Sequence, residues 1–190
     1  MSRDIRVLPC VLVVLLASTL PLIEQHEPIR RDLDSVELFA GEQQITLNAR
    51  SIGLNARSFD KRYRCDGGMD LLQHEGFLVA LKLVLRLKSG GNLWGAPWCG
   101  PWIFVNRAGT GRTRETPAGD VSVGRVRYSN SMVVLTVILY LVAWHRGCHI
   151  MNEQPPSSLM IHACHTKCIH ISGLLAVARR NQSWCTALTV

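Results

Sequence analysis

Short apolar runs alternate with longer periodic segments along residues 34–152, and this alternation limits the fold more than any other feature of the chain. The segments between the short runs carry apolar residues at helical spacing, which is typical of amphipathic helices. Parallel strands need a crossover connection, and a helix is its usual form. We therefore expect an α/β fold with a doubly wound, Rossmann-like sheet.

The predicted strands are short and the predicted helices are longer. One helical face of the segment 71–87 collects Phe77, Leu81, Val84 and Leu85, and the Ser89-Gly90-Gly91 sequence after it is typical of a helix C-cap. A second apolar stretch, 132–144, is too short to span a bilayer and predicts a buried helix. In chain order, the predicted elements are strand 35–39, helix 44–52, strand 55–59, helix 71–87, strand 93–96, helix 128–146 and strand 148–152.

An apolar segment precedes this pattern. Residues 7–23 follow Arg3 and Arg6 and resemble a signal peptide or a short signal anchor. The alternative is an ordinary extension before a domain that begins near Asp34. Membrane contact is expected only if residues 7–23 are retained as an anchor. We therefore divide the chain into an N-terminal segment with a charged linker (1–33), a Rossmann-like domain (34–160) and a Cys/His-containing tail (161–190).

Net charge indicates a class of partner, and the cysteine content bears on disulfides and metal sites. The formal net charge of +7 favours polyanionic partners without naming one. The seven cysteines are odd in number and scattered, which does not indicate a disulfide framework. Five possible metal ligands lie within residues 162–170, but no second pair supplies the usual remote ligands. We therefore expect no metal site.

The residues that follow the predicted strands are the candidates for a functional site, because ligands of open α/β sheets lie beyond the carboxyl ends of the strands. An acid that ends the first strand, a glycine turn before a helix, and a second acid one βα unit later can hold a nucleoside cofactor. The long arginine-containing segment 97–120 predicts a functional loop. The motifs in question are Val36-Glu37-Leu38-Phe39-Ala40-Gly41, Gly53-Leu54 with Asp60, Pro97-Trp98-Cys99 and Glu153-Gln154-Pro155.

In this order and at these spacings, the motifs resemble those of the S-adenosylmethionine-dependent cytosine-5 DNA methyltransferases. The resemblance covers about residues 34–158. The chain also resembles a divergent group of short methyltransferase-like proteins, known from dinoflagellate-type genomes, that keep an LWGAPPC strand and an EQP strand. The resemblance implies a Rossmann-like methyltransferase sheet and S-adenosylmethionine as the cofactor.

The resemblance also implies roles for individual residues. Cys99 is the expected nucleophile that adds to the pyrimidine ring, and Glu153 the acid that holds the ring nitrogen. The acceptor is DNA, whose target base is flipped into the pocket. The expected phosphate contacts are Arg107, Arg112 and Arg114. The expected cofactor contacts are Glu37, Phe39 and Gly41 at the methionine end, Asp60 at the ribose, Asp70 near the adenine, and Pro97.

The sequence also departs from the family pattern. Trp98 stands where a proline normally precedes the nucleophile, and Gln154 stands where an asparagine normally follows the acid. Few residues follow Glu153, so we expect a sheet that is incomplete at its C-terminal end, without the family's target-recognition region. Two alternatives remain: a non-catalytic Rossmann-like nucleic-acid-binding module, and a secreted or membrane-anchored protein. The expected location is nuclear or cytoplasmic for a methyltransferase, and secretory or membrane for a chain with a true signal.

Overall fold

A computed structural model describes residues 29–160 and 162–163 of the chain, so the apolar segment 7–23 and most of the tail 161–190 lie outside the described residues. Four parallel strands form one sheet in the order β2-β1-β3-β4. The strands are β1 (Leu33–Leu38), β2 (Ala56–Phe59), β3 (Leu87–Gly95) and β4 (His149–Asn152). The helices are α1 (Gln44–Ser51), α2 (His74–Leu85) and α3 (Gly124–His145).

The strand order shows how the chain winds. From β1 it steps outward to β2, crosses back over β1 to β3 on the other side, and continues outward to β4. Helix α1 contacts β1 and β2, whereas α2 and α3 contact each other and β3. With this strand order, the right-handed crossovers that parallel sheets use put α1 on one face of the sheet and α2 and α3 on the other. The expected α/β fold with a parallel sheet is therefore confirmed, and its topology is compatible with a Rossmann-like fold. The strand order reverses direction between β1 and β3.

Strand β1 lies at the centre of the core. Leu33, Val36 and Leu38 are fully buried, and the polar Ser35 and Glu37 are buried with them. A strand covered on both faces loses the alternation of apolar and polar residues that a half-exposed strand shows. From β3, Leu93 joins the same core, together with apolar side chains of α2 and α3. The core therefore holds β1 firmly in place, and the candidate site begins at the carboxyl end of this strand.

The start of β3 differs from the prediction. Helix α2 ends at Leu85, and Ser89-Gly90-Gly91 belongs to β3 rather than to a helix cap. Leu33 of β1 pairs with Leu87, whereas Ser35 pairs with Asn92, so β3 carries extra residues between two paired positions. Gly90 has a φ of 76°, which a glycine adopts without strain. The glycine signal therefore marked a bulge within a strand, where a helix end had been expected.

Helix α3 is 22 residues long and apolar, long enough by length and composition to cross a membrane. Within its most apolar window, 56% of the helix is buried inside the protein. β3, β4 and α2 contact it, and Trp102 and Met160 pack against its Val133. The prediction of a buried helix around 132–144 is therefore confirmed, and packing within the fold accounts for its apolar character.

Two carboxylates fasten the first residues of β1 to the rest of the sheet. Asp32 accepts hydrogen bonds from Nε and Nη2 of Arg86, at 2.9 and 2.6 Å. Asp34 accepts from Nζ of Lys88 at 2.6 Å and from the amide of Asn55 at 2.8 Å. These bonds, chiefly those from Arg86 and Lys88, lower the pKa of both carboxyl groups. Both ion pairs join residues that are far apart in the sequence, so unfolding breaks them.

Acid is expected to weaken the fold through these two groups. A carboxyl group whose pKa is lowered by folding stabilises the protein above its unfolded pKa, here 3.8, and the stabilisation is lost as the pH falls further. Replacing Asp32 with asparagine should therefore flatten the fall in the free energy of unfolding between about pH 5 and pH 2. Urea unfolding across that range measures the slope.

Asp66 provides the control for this experiment. Its partner Arg64 lies only two residues away, so the pair can also form in the unfolded chain. Asp66→Asn should therefore change the pH dependence less than Asp32→Asn does. A variant lacking Asp32 that loses stability as steeply as the unmodified chain would show that these contacts do not couple folding to protonation.

Candidate functional site

The loop between β1 and α1 has an unusual backbone. Phe39 and Gln43 have φ values of 59° and 60°, and they are the two non-glycine residues with positive φ in the described part of the chain. Gly41 between them has a φ of 51°. Left-handed conformations cost non-glycine residues about 1 kcal/mol or more, and such strain concentrates at functional sites. The loop also lies beside the point where the strand order reverses, where ligands of such sheets bind.

Residues after β2 hold this loop in place. The Asp60 carboxylate accepts a hydrogen bond from the Gly41 amide at 2.9 Å, and the Tyr63 hydroxyl donates to the Gly41 carbonyl at 2.9 Å. A Cβ atom at position 41 would lie 2.9 Å from Nη2 of Arg62. Glycine therefore serves twice here, because it permits the positive φ and leaves room for the neighbouring side chain.

Glu37 lies beneath the loop. Its side chain is buried, and Oε2 accepts bonds from the Thr46 amide at 2.8 Å and from the Thr46 hydroxyl at 2.6 Å. Thr46 belongs to the first turn of α1, whose N-cap residue Gln43 makes no side-chain cap bond. A carboxylate is favourable at a helix N-terminus, so Glu37 fastens α1 to the sheet. Sequence analysis did not single out Thr46, because nothing local pairs it with Glu37.

The surroundings of the loop are acidic. Arg62 is the cation nearest to Glu42 and Asp60, at 3.2 and 3.7 Å, and it is engaged with both carboxylates. Burial, together with the charge of Asp60, raises the pKa of Tyr63. The N-terminus of a helix commonly binds phosphate, but here the buried Glu37 already accepts the amide of Thr46. A carboxylate of the protein itself therefore occupies an amide at the N-terminus of α1 that a phosphate could otherwise bind.

The carboxyl ends of β3 and β4 bring the predicted catalytic residues onto neighbouring segments. Gly95 pairs with Asn152, and the Glu153 amide donates to the Gly95 carbonyl at 2.8 Å. Cys99 is half-buried, whereas Glu153 is exposed. The two residues therefore follow adjacent strands of the sheet.

Gln154 joins these two strand ends. Its Nε2 donates to the carbonyl of the buried Pro97 at 2.8 Å, and its Oε1 accepts from the Ser158 hydroxyl at 2.9 Å. The side chain thus sets the position of the turn that carries Cys99. Pro97 contributes its backbone carbonyl to this contact.

Trp98 lies at the protein surface, next to Cys99 in the chain. Its side chain is 47% exposed, and its ring meets that of Tyr128 edge-on at a centroid distance of 6.2 Å. The ammonium group of Lys61 lies 5.7 Å from the centre of the Tyr128 ring. Lys61 follows β2, Trp98 follows β3, and Tyr128 belongs to α3. Sequence analysis quoted Trp98 within the Pro97-Trp98-Cys99 motif and as a departure from the family pattern, but gave it no role, and it missed the other two residues.

The three predicted phosphate-binding arginines occupy different environments. Arg107 and Arg114 are exposed, and the Arg107 guanidinium lies 3.6 Å from the centre of the Phe104 ring. Arg112 is buried and stacks 3.4 Å from the centre of the Trp102 ring. A buried guanidinium cannot reach a phosphate on the surface, so the expectation for Arg112 is corrected to a structural role.

Asp70, expected near the adenine, belongs to a different segment of the chain from the β1–α1 loop. Asp70 accepts a bond from the Leu72 amide at 3.0 Å, within the turn before α2. Cys148 is buried, and burial raises the pKa of its thiol. No group of three or more possible metal ligands occurs within residues 29–160 and 162–163. Most of the 162–170 cluster lies outside the described residues.

Comparison with known proteins adds no relative to this picture. No protein-family model, no curated protein and no solved structure matches the chain. The site is therefore defined by its own geometry: a strained, acid-lined loop after β1, secured by the turn after β2, beside a turn after β3 that carries a thiol and an exposed indole.

Proposed function

We propose that this chain binds S-adenosylmethionine at the β1–α1 loop and belongs functionally with the methyltransferases. The observation that carries the proposal is the loop itself. Its strained backbone at Phe39 and Gln43 lies at the reversal of strand order, and the Asp60 carboxylate bonds its Gly41 amide. Strain in a loop that several contacts hold in place is typical of a pre-organised ligand site.

The charges of the loop suit this cofactor. S-adenosylmethionine carries a sulfonium and an ammonium group and has no phosphate, whereas dinucleotide cofactors carry a pyrophosphate. Glu37, Glu42 and Asp60 surround the loop with carboxylates. In the proposed arrangement the loop from Phe39 to Gly41 holds the methionine end, and Asp60 accepts the ribose hydroxyls. Both Asp60 oxygens already accept a backbone amide, one from Gly41 and one from Arg62. Each carboxylate oxygen can accept more than one hydrogen bond, so these bonds do not prevent this role.

The residues after β3 and β4 supply the proposed chemistry. The cofactor, when bound, supplies an electrophilic methyl group. A thiolate at Cys99 would add to a pyrimidine ring carbon while the Glu153 carboxylic acid protonates the ring nitrogen. The neighbouring ring carbon would take the methyl group, with a neutral thioether as the leaving group, and would then lose its proton to solvent as the Cys99 thiolate is eliminated. Gln154 keeps the two segments together through the Pro97 carbonyl. The exposed Arg107 and Arg114 are the proposed phosphate contacts of a DNA acceptor.

Removing the Asp60 carboxylate is expected to weaken cofactor binding by about tenfold or more, because charged hydrogen bonds to the ribose and to the Gly41 amide are both lost. Isothermal titration calorimetry of the full chain with S-adenosylmethionine measures this, with Asp60→Ala compared with the unmodified protein. Titration with NAD⁺ should give no binding heat, since its pyrophosphate meets the acidic loop.

Asp66→Ala is the matched control, because it removes an exposed carboxylate that pairs with Arg64 outside the loop. It should leave the dissociation constant unchanged. An unmodified chain that gives no binding heat at millimolar S-adenosylmethionine would overturn the proposed function. Equal affinities of the Asp60→Ala variant and the unmodified chain would show that the cofactor does not bind at this loop.

A further inference from the structure

The indole of Trp98 is held in a defined position although half of its surface is open. On one side the indole contacts the Tyr128 ring, which itself packs against the core. Beneath it lies Gly100, where a Cβ atom would come within 2.7 Å of the indole Nε1. Lys61 approaches Tyr128 from the turn after β2. An ordered aromatic ring with an open surface is a suitable surface for stacking another flat ring.

The segment of the chain that begins at Trp98 is basic. Residues 97–128 contain five arginines and two acids, and the acid Asp120 is engaged with Ser122. Arg125 and Arg127 are exposed and donate to the backbone carbonyls of Gly109 and Val121, which carry no compensating charge. Arg107 and Arg114 are exposed as well. An aromatic ring beside a basic surface is the combination that binds single-stranded nucleic acid.

Only an unpaired base has a free face that can stack on this ring. In a duplex, the faces of each base are covered by its neighbours, and only the edges are accessible from the grooves. An unpaired base exposes its face, so stacking selects single strands or extruded nucleotides. Trp98 directly precedes Cys99, so a base stacked on the indole is held in the same turn as the proposed nucleophile.

We propose that Trp98 is the stacking platform for an unpaired base of a single-stranded nucleic acid, and that the four exposed arginines of this segment, Arg107, Arg114, Arg125 and Arg127, bind its backbone. Identifying this base as the methyl acceptor rests on the proposed function, whereas the binding itself does not. We therefore expect a single strand to be the preferred substrate, because its bases are exposed without breaking any base pair.

Fluorescence anisotropy with a labelled oligonucleotide of about 12 nucleotides tests the proposal, on the full chain at low salt. Trp98→Ala should weaken binding about tenfold, Trp98→Phe should retain most of the affinity, and a duplex of the same sequence should bind more weakly than the single strand. Trp144→Ala is the matched control, because Trp144 is 58% exposed on α3 and should not affect affinity.

Gly100→Ala is a second route to the same test, because the added Cβ displaces the indole without removing it. It should weaken oligonucleotide binding while the circular dichroism spectrum stays unchanged. Equal affinity of Trp98→Ala and the unmodified chain, no binding by the unmodified chain, or tighter binding of the duplex would each overturn the proposal. Calorimetry with S-adenosylmethionine on Trp98→Ala separates the outcomes, since loss of the platform should leave cofactor binding intact.

Discussion

Replacing Arg112 with methionine is expected to lower the free energy of unfolding by about 3 kcal/mol. The guanidinium is buried, stacks on Trp102, and donates to the Pro117 carbonyl, to the Ser129 hydroxyl at 2.9 Å and to Oδ1 of Asn130 at 2.8 Å. Methionine fills part of the volume but leaves those acceptors without their donor, and each unsatisfied buried acceptor costs about 1 kcal/mol or more.

Part of this loss is offset, because burial also disfavours the charge and lowers the pKa of Arg112 to about 10. The contacts outweigh that cost in our expectation, since they fasten residues 110–120 to α3. Urea unfolding followed by tryptophan fluorescence measures the difference. Arg114→Met is the control, because Arg114 is exposed in the same segment and its loss should change stability by less than about 0.5 kcal/mol. Equal stability of the two variants would show that the desolvation cost cancels the contacts.

Gly76→Ala is expected to destabilise the fold by about 3 kcal/mol, although alanine is the better helix former. Gly76 lies in the first turn of α2, where a Cβ atom would stand 1.9 Å from the backbone carbonyl oxygen of Asp70. Backbone atoms cannot rotate away as a side chain does, so α2 or the preceding turn has to move. Thermal or urea unfolding measures the loss.

The control for this substitution is Gly124→Ala. Gly124 is the first residue of α3, and a Cβ atom there meets nothing within 4 Å. Alanine at this position should leave stability unchanged or raise it slightly through helix propensity. If Gly76→Ala were as stable as Gly124→Ala, the close approach of α2 to the Asp70 turn would not exist in solution.

Much of the fold could be predicted because it depends on local patterns. Within the part of the chain that the structure describes, apolar periodicity located the three α-helices and the four strands to within a few residues, except at the start of β3. There the Ser89-Gly90-Gly91 sequence is compatible with a helix cap and with a strand bulge. The pairing of Leu87 with Leu33 of β1 places it in a strand. Such pairing joins residues more than fifty positions apart, which a local pattern does not show.

The candidate site was predictable only in part. The rule that ligands lie beyond the carboxyl ends of parallel strands located the segments around Gly41, Asp60, Cys99 and Glu153. It could not show that Asp60 bonds the Gly41 amide or that Gln154 holds the Pro97 carbonyl. Those contacts depend on how the loops close above the sheet.

The amino-acid sequence by itself determined the alternation of strands and helices, because the spacing of apolar residues is a property of each segment alone. The tertiary structure decided which side chains meet across segments. It placed Arg112 inside the protein while Arg107 and Arg114 stayed outside, although all three belong to one loop. It also brought Lys61, Trp98 and Tyr128 together from three separate elements. The physical reason is that burial and side-chain contact depend on packing between segments, and packing is set by the whole chain at once.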